Sequence, residues 1–325
     1  MTTALRKHYR YDCFSIRETK KINNRLMNKK GRFDVTARIK HIGIMSQMPN
    51  RLFKFYECLF DFRTDVRTPA EERERAKQIG YKILNSGRVA GAFARTVIAS
   101  DGNIGVAFNQ RRPGYPGGLD HFGMTVDDIG TVLERIKAKY PSVGCVKRPP
   151  GRPFVDYSSH DPEGNIFDIA EPGKKQMVGV FSEAEAKRPR RIKHFTIRAM
   201  NPEALAGFYV NVFGFKEEDK ALEDPNFYLT DGTVTMVLAP YKISDYLGTE
   251  HKRPGFDHIG FEVEDLQGFK DDVELLAKHD PEFLAPKPAN VESEYQVIMD
   301  LLRSCRYGKH QMCDPEGNLV DISVV

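Results

Sequence analysis

The chain of 325 residues repeats itself, and an internal repeat constrains the fold more strongly than any single motif. The letters RIKH occupy residues 38–41 and recur at residues 191–194. Each copy leads through a short β-rich stretch and a turn with Asn and Pro into a helical pattern. Apolar residues at i, i+3, i+4 and i+7 predict one buried helical face in each copy. These residues are Leu52, Phe55, Tyr56 and Leu59 in the first copy and Leu205, Phe208, Tyr209 and Val212 in the second.

Three further motifs recur in the same order. Two β-rich runs surround an Asp–Gly pair at residues 92–109 and 226–238, which predicts a tight hairpin because Gly adopts positive φ. The other two motifs are GLDHFGMTV at 118–126 with GFDHIGFEV at 255–263, and DPEGNIFDI at 161–169 with DPEGNLVDI at 314–322. Asp127 and Glu264 follow the second motif and are expected to satisfy free N–H groups at a helix start.

In each half, a strand followed by a helix and further strands occurs twice. This order predicts an α+β fold of four βαβββ units paired into two modules. The predicted organisation is a basic N-terminal extension (1–35), a first module (36–172), a linker (173–190) and a second module (191–325). Residues 64–90 and 280–306 break the repeat and are expected to be insertions.

These motifs resemble the vicinal oxygen chelate superfamily, in which a histidine on the first strand, a second histidine in a GLDH-type strand and a closing DPxGN phrase recur. The resemblance covers residues 36–325 and implies two modules, each a curved mixed sheet forming a cup with helices outside. The group includes glyoxalase I, extradiol dioxygenases, methylmalonyl-CoA epimerase and resistance proteins for bleomycin and fosfomycin. It specifies the fold better than the reaction, because one scaffold hosts many chemistries.

Strand geometry selects candidate ligands independently of the resemblance, since side chains alternate between two faces. The count places His41 with Ile39, Gly43 and Met45, His121 with Gly123 and Thr125, His194 with Thr196, and His258 with Gly260 and Glu262. The opposite faces carry bulky apolar residues that are expected to pack on helices. The histidine faces therefore have room above them for a ligand.

The closing strands supply a carboxylate to each set. Asp168 shares a face with Ala170 whereas Glu171 takes the opposite face, so Asp168 is the predicted ligand although Glu is the family's usual residue. The two predicted metal sites are His41, His121 and Asp168 in the first module and His194, His258 and Asp321 in the second. Two histidines and a carboxylate leave coordination positions open, which suits iron(II), with manganese(II) or another divalent ion as alternatives.

Catalytic residues beyond the ligands are not assigned. His160 and His310 precede the DPEGN phrases and are candidates for acid–base chemistry, with turn histidines as the alternative. Tyr157 and Tyr307 stand farther from those phrases than the tyrosine of the extradiol signature.

The leading functional hypothesis is a metal-dependent, extradiol-type dioxygenase acting on a small aromatic or vicinal-oxygen substrate chelated by the metal. One alternative is a metal-dependent lyase, isomerase or epimerase of the glyoxalase type. That class needs a fourth ligand, and the corresponding runs at 103–112 and 233–242 supply none near their ends. The other alternative is a non-enzymatic resistance protein that binds a small molecule.

The composition of the chain restricts the cellular compartment and the kinds of partner that are expected. Five cysteines, with no CxxC pair, are typical of free thiols in a reducing compartment and exclude a zinc ribbon. No apolar run approaches the roughly 20 residues that span a bilayer, and the N-terminus lacks a secretory signal, so a cytoplasmic location without a membrane partner is expected. Residues 1–35 hold ten basic and three acidic residues, interpreted as a solvated extension rather than a nucleic-acid contact. The partners to consider are a small-molecule substrate and a second copy of the chain in a homo-oligomer.

Overall fold

The computed structural model describes residues 36–64, 96–149, 154–173, 189–242, 254–287, 305–308 and 310–325. The predicted extension, most of the linker and most of both insertions lie outside these residues. The first half contains β1 (Ala37–Ser46), α1 (Pro49–Phe60), β2 (Arg63–Thr64), β3 (Thr96–Ser100), β4 (Gly105–Gln110), β5 (Gly118–Val126), α2 (Ile129–Lys139), β6 (Cys145–Lys147), β7 (Tyr157–His160) and β8 (Ile166–Ala170). The second contains β9 (Arg191–Ala199), α3 (Pro202–Phe213), β10 (Lys216–Glu217), β11 (Phe227–Thr230), β12 (Thr235–Pro240), β13 (Gly255–Val263), α4 (Leu266–His279), β14 (His310–Cys313) and β15 (Leu319–Val324).

Each half forms one mixed sheet, as the repeat predicts. The strand order is β2-β3-β4-β1-β5-β8-β7-β6 in the first sheet and β10-β11-β12-β9-β13-β15-β14 in the second. The two Asp–Gly motifs form the predicted antiparallel turns between β3 and β4 and between β11 and β12. The α+β class with two tandem modules is thus confirmed, and the fourth unit shows two strands after its helix within the described residues.

The central strands of each sheet contain β-bulges that the alternation count does not anticipate. Ile39 pairs with Met124 and His41 pairs with Gly123, so Lys40 is an extra residue. An extra residue reverses the side-chain alternation on one side of the bulge. Ile39 is consequently buried in the hydrophobic core, and its predicted place on the face of His41 is wrong.

The acidic residues at the helix starts are also displaced by one position from the prediction. Asp128 and Asp265 are the N-caps of α2 and α4, where their side chains accept backbone N–H groups of the first turn. Asp127 instead accepts the N–H of Thr36, and Glu264 accepts the side chain of Arg190. The predicted caps are wrong because the chain runs one residue further before it turns.

One continuous hydrophobic core joins the two modules. Phe60 of α1 stacks on Phe261 of the second sheet, with ring centroids 3.8 Å apart. Reciprocally, Tyr209 of α3 contacts Phe122 of the first sheet at 5.9 Å. Each helix therefore packs on the sheet of the other module as well as on its own, and the apolar faces opposite the histidines are buried between the modules.

The two DPEGN phrases bond to the opposite module. Buried Asp161 accepts the hydroxyl of Tyr209 at 2.8 Å, and buried Asp314 accepts the hydroxyl of Tyr56 at 3.0 Å. The phrase that closes each module in sequence is thus anchored to a helix of the other module.

The glutamates of the same phrases cap helices of the opposite module. Glu316 accepts the backbone N–H groups of Gln47 and Met48 at 2.9 Å, at the start of α1. The N-cap residue of α1 makes no side-chain cap of its own, so Glu316 satisfies N–H groups that otherwise lack an intrahelical partner. Glu163 does the same for Met200 and Asn201 at the start of α3.

Among the described residues, no helix combines the length and the hydropathy needed to cross a membrane. The cysteines within the described residues are free thiols, as the odd count predicts; they are Cys58, Cys145, Cys305 and Cys313.

Candidate metal centres

The strand register places each candidate set around one glycine. In the first sheet Gly123 lies opposite His41 on one neighbouring strand and opposite Asp168 on the other. In the second sheet Gly260 takes the same position between His194 and Asp321. The remaining histidine of each set lies two residues earlier on the strand of its glycine, so all three side chains share one face.

The glycines are required by the close approach of the imidazole rings. A Cβ atom on Gly123 would lie 1.9 Å from the ring of His41, and one on Gly260 would lie 1.9 Å from the ring of His194. Gly43 similarly leaves space for the ring of His121, which a Cβ atom would approach to 2.1 Å. The rings of His41, His194 and His121 therefore occupy space that a side chain at these three glycines would fill.

In the first set the ligand atoms converge on Oδ2 of Asp168. The Nε2 atom of His41 lies 3.5 Å from that oxygen, and the Nε2 atom of His121 lies 3.8 Å from it. The side chains of His121 and Asp168 keep 16% and 12% of their surface exposed, whereas that of His41 keeps 3%. The first set is therefore reached by solvent from the side of His121.

In the second set the same arrangement is more enclosed. The Nε2 atoms of His194 and His258 lie 3.4 and 3.6 Å from Oδ2 of Asp321, and all three side chains are at most 2% exposed. Both ring nitrogens of His194 and the Oδ2 atom of Asp321 are buried without a hydrogen-bond partner. Buried polar atoms are rarely left unpaired, so this grouping indicates that a ligand belongs between them.

Both sets fit a single divalent ion. Two ligand atoms each about 2.1 Å from one ion, at angles of 90–120°, lie about 3.0–3.6 Å apart. The separations between the histidine nitrogens and the carboxylate oxygens, 3.4–3.8 Å, agree with this range to within a few tenths of an ångström. No other group of three or more such side chains meets this spacing within the described residues. The six residues that the sequence selects are those that the structure brings together.

The ionisation of the ligands also suits metal binding. Burial lowers the pKa of His41 and of His194 more than the neighbouring aspartates raise it, so both imidazoles are neutral near neutral pH. Burial alone would raise the pKa of Asp168, but its hydrogen bond to His41 and the nearby histidine charges lower it overall. Metal ligands must be neutral imidazoles and ionised carboxylates, and these three groups have that form.

His258 differs from the other two buried histidines. Burial lowers its pKa, but the hydrogen bond to Asp257 and the nearby carboxylate of Asp321 outweigh that effect and raise its pKa overall. A proton on His258 would therefore compete with a metal as the solution is acidified.

Aspartates just before two of the histidines orient their rings. Asp120 bonds the Nδ1 atom of His121 at 2.9 Å, and Asp257 bonds that of His258 at 2.6 Å. Each aspartate is the extra residue of a second bulge, on β5 and β13, which lets adjacent side chains meet on one face. A carboxylate on Nδ1 fixes the ring so that Nε2 faces the ligand position. This role was not predicted from the sequence, although Asp precedes His in both copies of the motif.

The second oxygen of each ligand carboxylate is held from the neighbouring strand. Oδ1 of Asp168 accepts the hydroxyl of Ser158, which in turn accepts Nε of Arg148 at 2.6 Å. Oδ1 of Asp321 accepts the amide of Gln311 at 3.2 Å. These contacts leave Oδ2 of each aspartate directed at the histidines.

The remaining candidates lie away from the ligand atoms. Both ring nitrogens of His160 bond to backbone groups of Asp161 and Gly144, so His160 is a turn histidine. His310 neighbours Gln311 on β14 and takes the opposite face of the sheet, and Glu171 is exposed. Tyr157 packs against the core. Tyr307 does reach a site, since its ring stacks on that of His194 with centroids 4.8 Å apart.

Comparison with known proteins identifies the family. The family model of the Glyoxalase/Bleomycin resistance protein/Dioxygenase superfamily matches residues 38–169 and 191–322, so the chain belongs to this superfamily in two tandem copies. A search of curated proteins for similar sequences found no match.

Solved structures of this fold resemble the chain over nearly all of its length. The Mn(II)-bound glyoxalase from Novosphingobium aromaticivorans is 12% identical, with a TM-score of 0.53 over 88% of this chain and 81% of that one. The 2,3-dioxygenase LapB from Pseudomonas sp. KL28 is 12% identical, with a TM-score of 0.51 over 89% and 92%. Homoprotocatechuate 2,3-dioxygenase from Arthrobacter globiformis is 13% identical, with a TM-score of 0.51 over 90% and 80%. At these identities the likenesses show the fold alone.

Proposed function

We propose that the chain is a metal-dependent enzyme whose reaction takes place at the first centre, formed by His41, His121 and Asp168. The observation that carries this proposal is the convergence of three ligand atoms at a point that solvent still reaches. The second centre has the same ligand types, but its side chains are at most 2% exposed. A substrate requires access, so the first centre is the better candidate for turnover.

The residues around the first centre suit chelation of a small molecule. Asp120 and Ser158 hold two of the three ligands in place, and Gly43 leaves the space that the ring of His121 occupies. The ring of Phe154 packs on that of His41 with centroids 5.0 Å apart and shields it from water. A divalent ion held here would act as a Lewis acid with coordination positions for two neighbouring substrate oxygens.

The reaction class we favour is extradiol-type ring cleavage with iron(II), on a small aromatic substrate bearing vicinal oxygens. Three ligands with open positions suit iron(II) and oxygen chemistry, and no fourth histidine or carboxylate joins the set within the described residues. The alternative is a glyoxalase-type lyase, isomerase or epimerase. Loading the protein with manganese(II) tests that alternative. A binder without catalysis would not need three oriented metal ligands.

The deciding experiment measures metal content and oxygen consumption of protein loaded anaerobically with iron(II). We expect metal at both centres, and oxygen uptake with catechol or a substituted catechol that His41→Ala abolishes together with one metal per chain. His194→Ala, the matched control in the second module, is expected to lose the other metal and to retain oxygen uptake. Failure to take up either iron(II) or manganese(II) would remove the enzyme hypothesis, and metal uptake without oxygen consumption would favour the isomerase class.

The orienting aspartates provide a separate test. Asp120→Asn is expected to weaken metal binding at the first centre by about 10–100-fold, because the ring of His121 loses the carboxylate that fixes it. Titration with manganese(II) measures the affinity. Asp271→Asn, an exposed change on α4, is expected to leave the affinity unaltered. An unchanged affinity in Asp120→Asn would show that the aspartate does not hold the ring.

A further inference from the structure

The two centres differ at one position on their first strands. Gly43 and Thr196 lie at equivalent places, each paired across the sheet with the second histidine of its set. The hydroxyl of Thr196 lies 3.1 Å from the Nε2 atom of His258, the nitrogen that faces Asp321. The first module offers only the backbone at this place.

The 3.1 Å separation lies within the range expected for two atoms bound to one ion, about 3.0–3.6 Å for bonds near 2.1 Å. Thr196 is 2% exposed, so its hydroxyl is directed into the buried centre rather than to solvent. The second centre thus presents two imidazole nitrogens and a carboxylate oxygen, with the Thr196 hydroxyl beside the histidine nitrogen that faces the carboxylate.

Other differences also close the second centre. Asp257 is fully buried and pairs with Arg198 at 3.3 Å, whereas the equivalent Asp120 is 43% exposed. Tyr307 stacks on His194, and its hydroxyl bonds Glu218 at 3.2 Å and contacts Thr235 at 3.3 Å. These side chains therefore cover the second centre next to His258 and next to His194.

We infer that the second centre is a closed, structural metal site in which the Thr196 hydroxyl is a fourth ligand. This inference rests on the metal binding proposed above but not on the reaction. Closed four-ligand sites are the structural class of metal centre, whereas catalytic sites keep an open position. Two imidazoles and two oxygens suit a divalent ion such as zinc(II) or manganese(II). The ion would exchange slowly with solution and would stabilise the second sheet.

The test uses the full-length chain carrying His41→Ala, so that only the second centre holds metal. The protein is loaded with zinc(II) or manganese(II), and release into EDTA and the melting temperature are followed. Thr196→Val keeps the shape but removes the hydroxyl, and we expect at least tenfold faster release and a melting temperature lower by several degrees. Thr196→Ser retains the oxygen and is expected to restore slow release.

Several results would overturn the inference. Equal release rates in Thr196→Val and its parent would show that the hydroxyl is not a ligand. Release as fast as from the first centre, measured in the reciprocal His194→Ala protein, would show that the site is not closed. No metal in the His41→Ala protein would mean that the second centre binds none. Absence of oxygen uptake by the unsubstituted protein, together with slow metal release from the second centre, would instead count only against the proposed reaction.

Discussion

Gly123→Ala is expected to empty the first metal centre while the second stays loaded. The added methyl group would lie 1.9 Å from the ring of His41, and the neighbouring backbone of β5 is held between two strands. The ring must therefore leave the position from which its Nε2 atom meets Asp168. Metal content should fall by one ion per chain, and any oxygen uptake should be lost with it.

Matched substitutions separate this effect from a general loss of folding. Gly260→Ala is the equivalent change in the second module and should remove the other ion through His194. Gly207→Ala lies on α3, where an added methyl group has its nearest neighbour 4.0 Å away and favours the helix by up to about 1 kcal/mol. Retention of both ions in Gly123→Ala, with a normal circular-dichroism spectrum, would show that His41 is not a ligand.

Asp314→Ala is expected to cause the largest loss of stability among the inter-module contacts. The carboxylate accepts the Tyr56 hydroxyl, the backbone N–H groups of Glu316 and Asn318, and the side-chain amide of Asn318. Its removal leaves the buried Tyr56 hydroxyl and three part-buried donors unpaired, at a cost of about 2–4 kcal/mol in the free energy of unfolding. Urea unfolding measures the change. Burial raises the pKa of Asp314 to about 6, so pH 8 ensures the ionised form.

Substitutions that each remove one hydrogen bond between the modules provide the comparison. Tyr56→Phe removes only the hydroxyl and is expected to cost about 1 kcal/mol. Tyr209→Phe removes the reciprocal bond to Asp161 and should cost about the same. If Asp314→Ala destabilised the protein no more than Tyr56→Phe, the carboxylate would not be the anchor that its contacts indicate.

The two candidate ligand sets could be located from sequence because two constraints coincide in them. The repeat fixes which residues correspond, and alternation along a strand fixes which of them share a face. Asp168 was separated from Glu171 by this count, and the structure indeed places Asp168 beside the histidines and leaves Glu171 exposed. Within a short strand, the alternation of side chains can be counted from the sequence without any knowledge of the tertiary fold.

The bulges and the contacts between modules were not predictable by the same means. A bulge inserts one residue without altering the local composition, so the place of Ile39 could not be obtained by counting. The partners of Glu316 lie 268 and 269 residues earlier in the chain, and nothing in the DPEGN phrase specifies that its acids face another module. The orienting role of Asp120 likewise depends on a bulge that turns its side chain toward that of His121.

The reciprocal contacts have the form of an isologous dimer interface, in which residue i of one copy meets residue j of the other and the reverse also holds. In a dimer of identical chains, any substitution at a metal centre would appear in both centres at once. Joining the copies in one chain removes that restriction and also makes their association independent of protein concentration. Thr196 can therefore occupy the position that Gly43 has in the first module, and the two sites can diverge in sequence while the contacts between the modules stay reciprocal.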